Sequence, residues 1–252
     1  MNKRIPKKDN HSKEKGGIFV IEGESVLKEY VNFAPHLIEK VWFKDKKDES
    51  RYPQLSSKVS KAEYWQKPDG SPFRKPTSPV AALVQVPEFD SVDLLYHLKA
   101  KNDPLIVMLD HIQDARNLGA IARSLAFFGV SVLIIPNARQ TGVTEFALAT
   151  SQGAFAHIRV FVVPNLARVC ADLKEIGYWI LGADMEGESV AALAGFYPKN
   201  CLILGNEEKG ISRLLREKCD KITCIPRKSG KLDSLNVSVA AGILVSTLSS
   251  KK

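Results

Sequence analysis

The chain has 252 residues, enough for one large domain or two small ones. Its composition, 44% hydrophobic and 25% charged, is that of a globular protein and excludes wholesale disorder or a coiled-coil filament. The 36 basic and 28 acidic residues give a net charge of +8, which favours a polyanionic partner.

No apolar run approaches the roughly 20 residues that a membrane-spanning helix needs, and the first residues lack the apolar core of a secretory signal. We therefore expect no membrane segment. The four cysteines form no CxxC pair and have no histidine at zinc spacing, so no metal site is predicted. They are interpreted as reduced, mostly buried thiols of a cytoplasmic protein: Cys170, Cys201, Cys219 and Cys224.

Residues 1–16 are rich in lysine and are predicted to be a disordered basic arm, either a solubilising tail or a non-specific RNA contact. Residues 17–87 are predicted to be a small α/β domain. Its expected elements are strands at 18–22, 41–44 and 80–86, the last ending before Pro87, a helix at 23–33 and a long loop at 58–79. Apolar residues at helical spacing make 88–103 a connecting helix or linker.

From residue 104 to the end, short apolar runs alternate with segments of helical periodicity. The runs predict strands at 105–109, 130–135, 158–163, 179–182, 201–205 and 222–225, and the periodic segments predict helices at 118–128, 145–153, 166–176, 212–219 and 237–248. Continuous apolar runs are typical of strands buried on both faces of a parallel sheet. The sequence therefore predicts an α/β domain over 104–252.

Three polar clusters with glycines follow predicted strands, where the ligands of open α/β sheets bind. They span 110–119, 205–212 and 225–238, and Arg123 lies on the helix after the first. Each has an ordinary explanation when taken alone, because Asn117 could cap a helix and Arg123 could pair with a surface carboxylate.

The second cluster has two glycines and a following serine but not the lysine of a nucleotide-binding loop. A P-loop needs lysine directly after its second glycine, whereas here Lys209 precedes Gly210 and Ile211 follows it. The GxGxxG fingerprint of dinucleotide-binding proteins is also absent. Neither of these common nucleotide sites is predicted.

Together and in this order, the three clusters resemble the motifs of the SpoU/TrmH family of RNA ribose 2′-O-methyltransferases, in the SPOUT class. The resemblance covers 105–248, and the preceding domain resembles the small RNA-binding domain of the rRNA-modifying members. It is carried by Asn117-Leu118-Gly119 with Arg123, by Leu204-Gly205-Asn206-Glu207 through Gly210, and by Ile225-Pro226 with Ser234-Leu235-Asn236-Val237-Ser238. The loop 227–233 is one residue longer than is usual.

The resemblance implies a parallel α/β sheet with a C-terminal trefoil knot, a rare exception among protein folds. It also implies S-adenosylmethionine as the cofactor, bound in the knot, with Gly182-Ala183 on the adenine side. A glycine allows close backbone approach, and apolar side chains can enclose an adenine ring. The expected cofactor-binding residues are Ala183, Leu204, Gly205, Ile225, Leu235 and Asn236.

The implied reaction is methyl transfer to a ribose 2′-hydroxyl, and the implied catalytic residues are Asn117, Arg123, Glu207, Ser234 and Asn236. Family members have the arginine matched by Arg123 assigned as the base, but a guanidinium is effectively always protonated. We interpret Arg123 as gripping an RNA phosphate and stabilising alkoxide charge. Glu207 is expected to hold Arg123 or Asn117 and is the alternative base. The other three residues are expected to orient the ribose and Arg123.

Active sites of the family combine residues from two subunits, which implies a homodimer, and the largely apolar last helix is compatible with one. A helix buried inside one subunit would show the same pattern. The predicted function is 2′-O-methylation of RNA, with a guanosine or another nucleotide of ribosomal RNA preferred. The alternatives are a tRNA 2′-O-methyltransferase and a non-catalytic RNA-binding protein, which would not need Asn117, Arg123, Glu207 and Asn236 together.

Overall fold

The computed structural model describes residues 15–53, 62–64, 77–101, 103–195, 197–228 and 234–250. Three predicted segments lie wholly or partly outside these ranges: positions 1–14 of the basic arm, most of the loop 58–79, and positions 229–233 of the loop 227–233. Lys15 and Gly16, which we assigned to the arm, open the first strand.

The N-terminal part contributes four strands to one end of a ten-stranded sheet and has its own apolar core. Its elements are β1 (Lys15–Glu22), α1 (Glu24–Phe33), a 3-10 turn (Pro35–Leu37), β2 (Ile38–Phe43), α2 (Lys46–Arg51), β3 (Ala62–Tyr64) and β4 (Val80–Phe89). β4 is antiparallel to β1 and β2, and β3 is parallel to β2. Leu27 and Tyr30 of α1 pack on Val41 and Val84 of the sheet, as the apolar face of α1 predicts.

Three features of this part differ from the prediction. α2 was not predicted because it has no apolar periodicity; it begins at an N-cap, Asp45, whose side chain accepts a 2.9 Å hydrogen bond from the backbone of Asp48. β3 lies in the predicted loop and is too short, at three residues, to show alternation. β4 continues through Pro87, which pairs with Gly16 of β1 but lies beyond the end of the pairing with β2 at Val84. A strand position that is paired on one side only can accommodate proline.

The segment between the two predicted domains is a helix, α3 (Ser91–Ala100). Its N-cap, Asp90, accepts hydrogen bonds from two backbone N–H groups of the first turn. Leu94 and Leu98 of α3 are buried in the core beneath the parallel sheet. The connecting residues are therefore packed against the C-terminal part of the fold.

The rest of the chain alternates strands and helices. They are β5 (Leu105–Asp110), α4 (Ala115–Phe127), β6 (Val132–Pro136), α5 (Glu145–Ser151), a 3-10 turn (Ala154–Ala156), β7 (Arg159–Val163), α6 (Leu166–Glu175), β8 (Trp179–Ser189), α7 (Val190–Leu193), β9 (Asn200–Gly205), α8 (Arg213–Arg216), β10 (Lys221–Cys224) and α9 (Val237–Ser249). All the predicted strands and helices of this part are present. β8 extends beyond the predicted end because its polar second half pairs with the edge strand β10.

The sheet order is β10-β8-β9-β5-β6-β7-β4-β2-β3, and β1 pairs with β4 off this path. Strands β5 to β10 pair in parallel. One face is covered by α4, α5 and α9, and the other by α3 and α6. The predicted parallel α/β sheet is confirmed, and burial on both faces explains its continuous apolar runs.

This order sets the carboxyl ends of β5 and β9 side by side, with Asp110 opposite Gly205. α9 packs against α4, so the chain before α9 also reaches this edge. The three polar clusters therefore converge at one edge of the sheet.

Within the described ranges, no helix is both long and apolar enough to cross a membrane. Nor do three His, Cys, Asp or Glu side chains come together there as a metal-binding group. The four cysteines are free thiols; Cys170 and Cys201 are buried, and Cys219 and Cys224 are partly exposed.

Candidate active site

The first cluster starts with a buried carboxylate at the end of β5. Asp110 is only 1% exposed, and its Oδ2 accepts a 2.6 Å hydrogen bond from the backbone N–H of Ser212. Its Oδ1 lies 2.5 Å from Nδ1 of His111, whose backbone is left-handed with φ of +65°. Asp110 therefore joins the first cluster to the second.

The start of α4 positions Asn117. The N-cap is Asp114, whose carboxylate accepts a 2.8 Å hydrogen bond from the backbone of Arg116. Asn117 is therefore a first-turn residue rather than the cap, and its side-chain amide is not used to cap α4. A Cβ atom on Gly119 would lie 2.4 Å from the carbonyl oxygen of Ala147, so glycine is needed for α4 to pack this closely on α5.

The second cluster is a loop that folds back on itself after β9. Asn206 and Gly210 exchange two backbone hydrogen bonds of 3.0 and 2.9 Å. A Cβ atom on Gly205 would lie 2.2 Å from the backbone nitrogen of Ile211, so only glycine fits there.

Asn206 fixes this loop and was not among the predicted site residues. Its Oδ1 accepts hydrogen bonds from the backbone of Glu208 and Lys209, and its Nδ2 donates to the carbonyl of His111 at 3.0 Å. Asparagine is common in turns because its side chain can accept hydrogen bonds from the backbone two residues on. Its position directly after the glycine that ends β9 therefore indicates a turn from sequence alone.

Three predicted catalytic side chains form one chain of hydrogen bonds. Asn117 Nδ2 donates to Glu207 Oε1 at 2.8 Å, and Asn236 Nδ2 donates to Asn117 Oδ1 at 3.1 Å. Asn236 is also the N-cap of α9, because its Oδ1 accepts a hydrogen bond from the backbone of Ser238. Each polar cluster thus contributes one member, and Glu207 contacts Asn117 rather than Arg123.

Arg123 and Ser234 lie outside this chain. Arg123 is exposed on α4 and makes no hydrogen bond or ion pair with any residue that the structure describes. It lines an open groove of about 700 Å³ between α4 and α9, together with Phe128, Val239 and Ile243. Ser234 is exposed just before α9.

The predicted cofactor-binding residues lie at the ends of β9 and β10, before α9, and within β8, where Ala183 directly follows the last residue paired with β9. Leu204 is buried, and Ala183 and Ile225 are partly buried against the same apolar cluster. Leu235 is 48% exposed. Partly covered apolar side chains beside the backbone groups of three neighbouring strands suit a flat heterocycle with polar edges, so these residues fit an adenosyl group.

Several cations surround this edge of the sheet. Lys209, Arg227 and Lys228 are exposed on the second and third clusters. Arg116 is exposed on α4 and pairs with Asp114, and its hydrogen bond lowers the pKa of that carboxyl. This distribution of charge suits a phosphate-rich ligand.

A family model described as the SpoU rRNA Methylase family matches residues 104–246. A relative from Bacillus subtilis, named a putative TrmH family tRNA/rRNA methyltransferase, is 40% identical over 169 residues, 66% of this chain and 67% of that protein. One from Archaeoglobus fulgidus, named an uncharacterized tRNA/rRNA methyltransferase, is 34% identical over 184 residues, 73% of this chain and 78% of that protein.

The solved structure of the SpoU methyltransferase AviRb from Streptomyces viridochromogenes, in complex with the cofactor AdoMet, is also similar. Its TM-score is 0.74, with 92% of this chain and 90% of that chain covered at 21% identity. At this identity the likeness shows a shared fold. The family match covers more than half of the chain and agrees with the resemblance of the three polar clusters. The chain therefore belongs to the SpoU/TrmH family of S-adenosylmethionine-dependent RNA methyltransferases.

Proposed function

We propose that this protein transfers a methyl group from S-adenosylmethionine to the 2′-hydroxyl of a ribose in RNA, with ribosomal RNA as the preferred substrate. The observation that carries the proposal is the hydrogen-bonded chain of Glu207, Asn117 and Asn236 at the sheet edge that also bears the apolar cofactor residues. A non-catalytic RNA-binding protein would not need this polar arrangement beside a cofactor site.

When bound, S-adenosylmethionine supplies an electrophilic methyl group on a sulfonium. Leu204, Ala183 and Ile225 would hold its adenine ring through apolar contact, with Leu235 closing the exposed side. Gly205 leaves its backbone open to close approach, and Asn236 would contact the cofactor from the start of α9.

The reaction needs the ribose hydroxyl held in line with the methyl group. Asn117 and Asn236 would orient the ribose, because Asn236 is fixed to Asn117 at 3.1 Å and Asn117 to Glu207 at 2.8 Å. Ser234 would add a hydroxyl to the same edge. Arg123, a permanent cation with no partner among the described residues, would bind an RNA phosphate and stabilise the developing alkoxide charge.

A homodimer is part of this proposal. Val239 and Ile243 of α9 are 50% and 39% exposed and line the groove that contains Arg123. These two side chains lie one turn apart and line the groove together with Phe128, and a contiguous exposed apolar patch is typical of an interaction site, so a second copy is the proposed cover. In such a dimer, Arg123 of one subunit would contribute to an active site formed by both subunits.

The proposal keeps the division into a domain at 17–87 that binds RNA, a connecting segment at 88–103, and a methyltransferase domain at 104–252. The N-terminal part has a separate apolar core, and the family match begins at residue 104. A trefoil knot is proposed for the C-terminal part. It is supported by the return of the chain from the edge strand β10 to Asn236, which contacts Asn117 on the helix after the central strand β5.

Two measurements test the function. Calorimetry is expected to show about one S-adenosylmethionine site per subunit. Mapping of 2′-O-methyl groups on total RNA from cells with and without the gene is expected to show loss of a specific ribosomal position. Loss of a tRNA position would favour the tRNA alternative, and no cofactor binding by the folded protein would favour a non-catalytic RNA-binding role.

A further inference from the structure

We propose that His111 accepts the proton that the ribose 2′-hydroxyl loses during methyl transfer, with buried Asp110 holding its imidazole. This inference rests on the proposed function, because it assigns the base for that same reaction. The observation behind it is the contact between the side chains of Asp110 and His111, which is separate from the hydrogen bonds that join Glu207, Asn117 and Asn236.

The geometry leaves one histidine nitrogen available. Asp110 is buried and uses Oδ2 for the backbone of Ser212, so only Oδ1 remains for His111, 2.5 Å from Nδ1. A hydrogen bond from Nδ1–H to this carboxylate leaves the lone pair on Nε2. The His111 side chain is 36% exposed, so a substrate can reach it.

The backbone of His111 is held beside the predicted catalytic chain. Its carbonyl accepts a hydrogen bond from Asn206 Nδ2, and the same Nδ2 lies 3.3 Å from Glu207 Oε2. Glu207 in turn binds Asn117. A left-handed backbone is uncommon for a residue other than glycine, and such conformations cluster at functional sites where the surroundings maintain them.

The other candidate bases are less suited to accept a proton. Both oxygens of Glu207 already accept hydrogen bonds, from Asn117 and Asn206, and the guanidinium of Arg123 stays protonated. Histidine is the side chain that exchanges a proton near neutral pH. The charged residues on the segments that meet at His111 are Asp110, Asp114 and Arg116 on its own segment and Glu207, Glu208 and Lys209 on the loop that binds its carbonyl through Asn206. Arg139 lies in the loop after β6 that reaches this turn through Gln140.

Methyl transfer forms one bond, breaks one bond and releases one proton. An electron pair of the 2′-oxygen forms the bond to the methyl carbon, and the pair of the breaking carbon–sulfur bond stays on sulfur, which becomes neutral. The hydroxyl proton passes to Nε2 of His111 and then to water.

The test variant is His111→Asn. Asparagine tolerates the left-handed backbone and can donate to Asp110, but its amide does not take up a proton near neutral pH. We expect single-turnover methyl transfer to RNA to fall about 100-fold, the usual contribution of a general base, with normal binding of S-adenosylmethionine and RNA. If His111 is the base, the wild-type rate is expected to rise with pH, and the variant is expected to show no such rise.

The matched control is His157→Asn. His157 also pairs with a carboxylate, Glu29, at 2.7 Å, but it precedes β7 and so lies at the opposite edge of the parallel sheet. Its substitution is expected to leave the rate and the pH profile unchanged. A His111→Asn rate within tenfold of wild type, or an unchanged pH profile, would overturn the proposal.

A second readout needs neither cofactor nor RNA. Nitrogen NMR of the free protein is expected to show neutral His111 protonated at Nδ1, and Asp110→Asn is expected to change that tautomer. A wild-type His111 protonated at Nε2 would overturn the assignment of the base while leaving the proposed function intact. Absence of methyl transfer by the wild-type protein to any RNA 2′-hydroxyl, with the Nδ1 tautomer present, would overturn the proposed function and the inference with it.

Discussion

Asn117 and Glu207 form a 2.8 Å hydrogen bond although 90 positions separate them in the chain. The contact exists because β5 and β9 are neighbours in the sheet and each ends in a polar turn. In the proposed site, Glu207 positions the asparagine amide that orients the ribose.

This role predicts different results for two substitutions of Glu207. Glu207→Gln keeps an oxygen for Asn117, so methyl transfer is expected to fall less than about tenfold. Glu207→Ala removes the acceptor of the Asn117 amide and leaves that amide unsatisfied, so the rate of methyl transfer is expected to fall further than in Glu207→Gln. Single-turnover rates with saturating cofactor and RNA measure both.

The glutamine variant also tests the alternative base. A loss of about 100-fold or more in Glu207→Gln, with normal binding of cofactor and RNA, would assign proton transfer to this carboxylate.

A second prediction concerns the loop after β9. Gly205→Ala would place a methyl group 2.2 Å from backbone atoms of Gly210 and Ile211. Because backbone atoms cannot move aside as a flexible side chain can, we expect a loss of about 1–3 kcal/mol in the free energy of unfolding, with weaker binding of S-adenosylmethionine. Denaturant titration and calorimetry measure the two effects.

The control for this variant is Gly142→Ala. Its added Cβ would meet only Glu88 Oε1, at 4.0 Å, so no loss of stability is expected. Equal stabilities of the two variants would contradict the steric argument.

The strands of the parallel sheet could be predicted because a strand buried on both faces, such as β5, is a continuous apolar run. β3 and α2 could not be predicted, since each is short and is fixed by pairing or capping rather than by periodicity. At the site, motif order suggested Asn117 and Glu207. Whether Glu207 held Asn117 or Arg123 stayed open, because that choice depends on how β9 lies beside β5.

The pairing of Asp110 with His111 had no sequence signal. The two residues are adjacent in the chain, but neither the burial of the carboxylate nor the left-handed backbone follows a local pattern. Both result from contacts with Ser212 and Asn206, about 100 residues away.

A third prediction concerns the proposed dimer. Val239→Lys replaces an apolar side chain of the groove between α4 and α9 with a second cation beside Arg123, and is expected to convert the dimer to monomers at micromolar concentration. Light scattering after size-exclusion chromatography measures the mass. Val92→Lys is the control, because Val92 is equally exposed, at 53%, but lies on α3 away from the groove. A monomeric wild-type protein, or a dimeric Val239→Lys variant, would contradict the interface.

A fourth prediction follows from burial of the thiols. Burial raises the pKa of Cys170 to about 12 and that of Cys219 to about 11, and raises the pKa of fully buried Cys201 well above its ordinary value. Since the thiolate is the reactive form, iodoacetamide at pH 8 is expected to label Cys224 first in the native protein. Peptide mass spectrometry measures the label at each site, and rapid labelling of Cys170 or Cys201 would show that this core opens.

The last prediction concerns Arg123, which lines the groove without a partner among the described residues. If it binds phosphate and stabilises charge, Arg123→Ala is expected to lower the rate of methyl transfer roughly 10²- to 10³-fold, a loss of roughly 3–4 kcal/mol in transition-state stabilisation, while cofactor binding stays normal. Arg123→Lys keeps the positive charge but loses the planar fork, so a smaller loss of rate is expected.

The pH profile of the lysine variant separates this role from proton transfer. A lysine that only stabilises charge leaves the shape of the wild-type profile unchanged, because it stays protonated across the neutral range. If Arg123→Lys instead reached the wild-type rate with its profile moved towards the titration of an amine, position 123 would be the base, and both the electrostatic role and the assignment of His111 would be wrong. Arg123 also lies at the proposed dimer interface, so a substitution could lower the rate by dissociating the dimer. The mass of each variant must therefore be measured before its rate is interpreted.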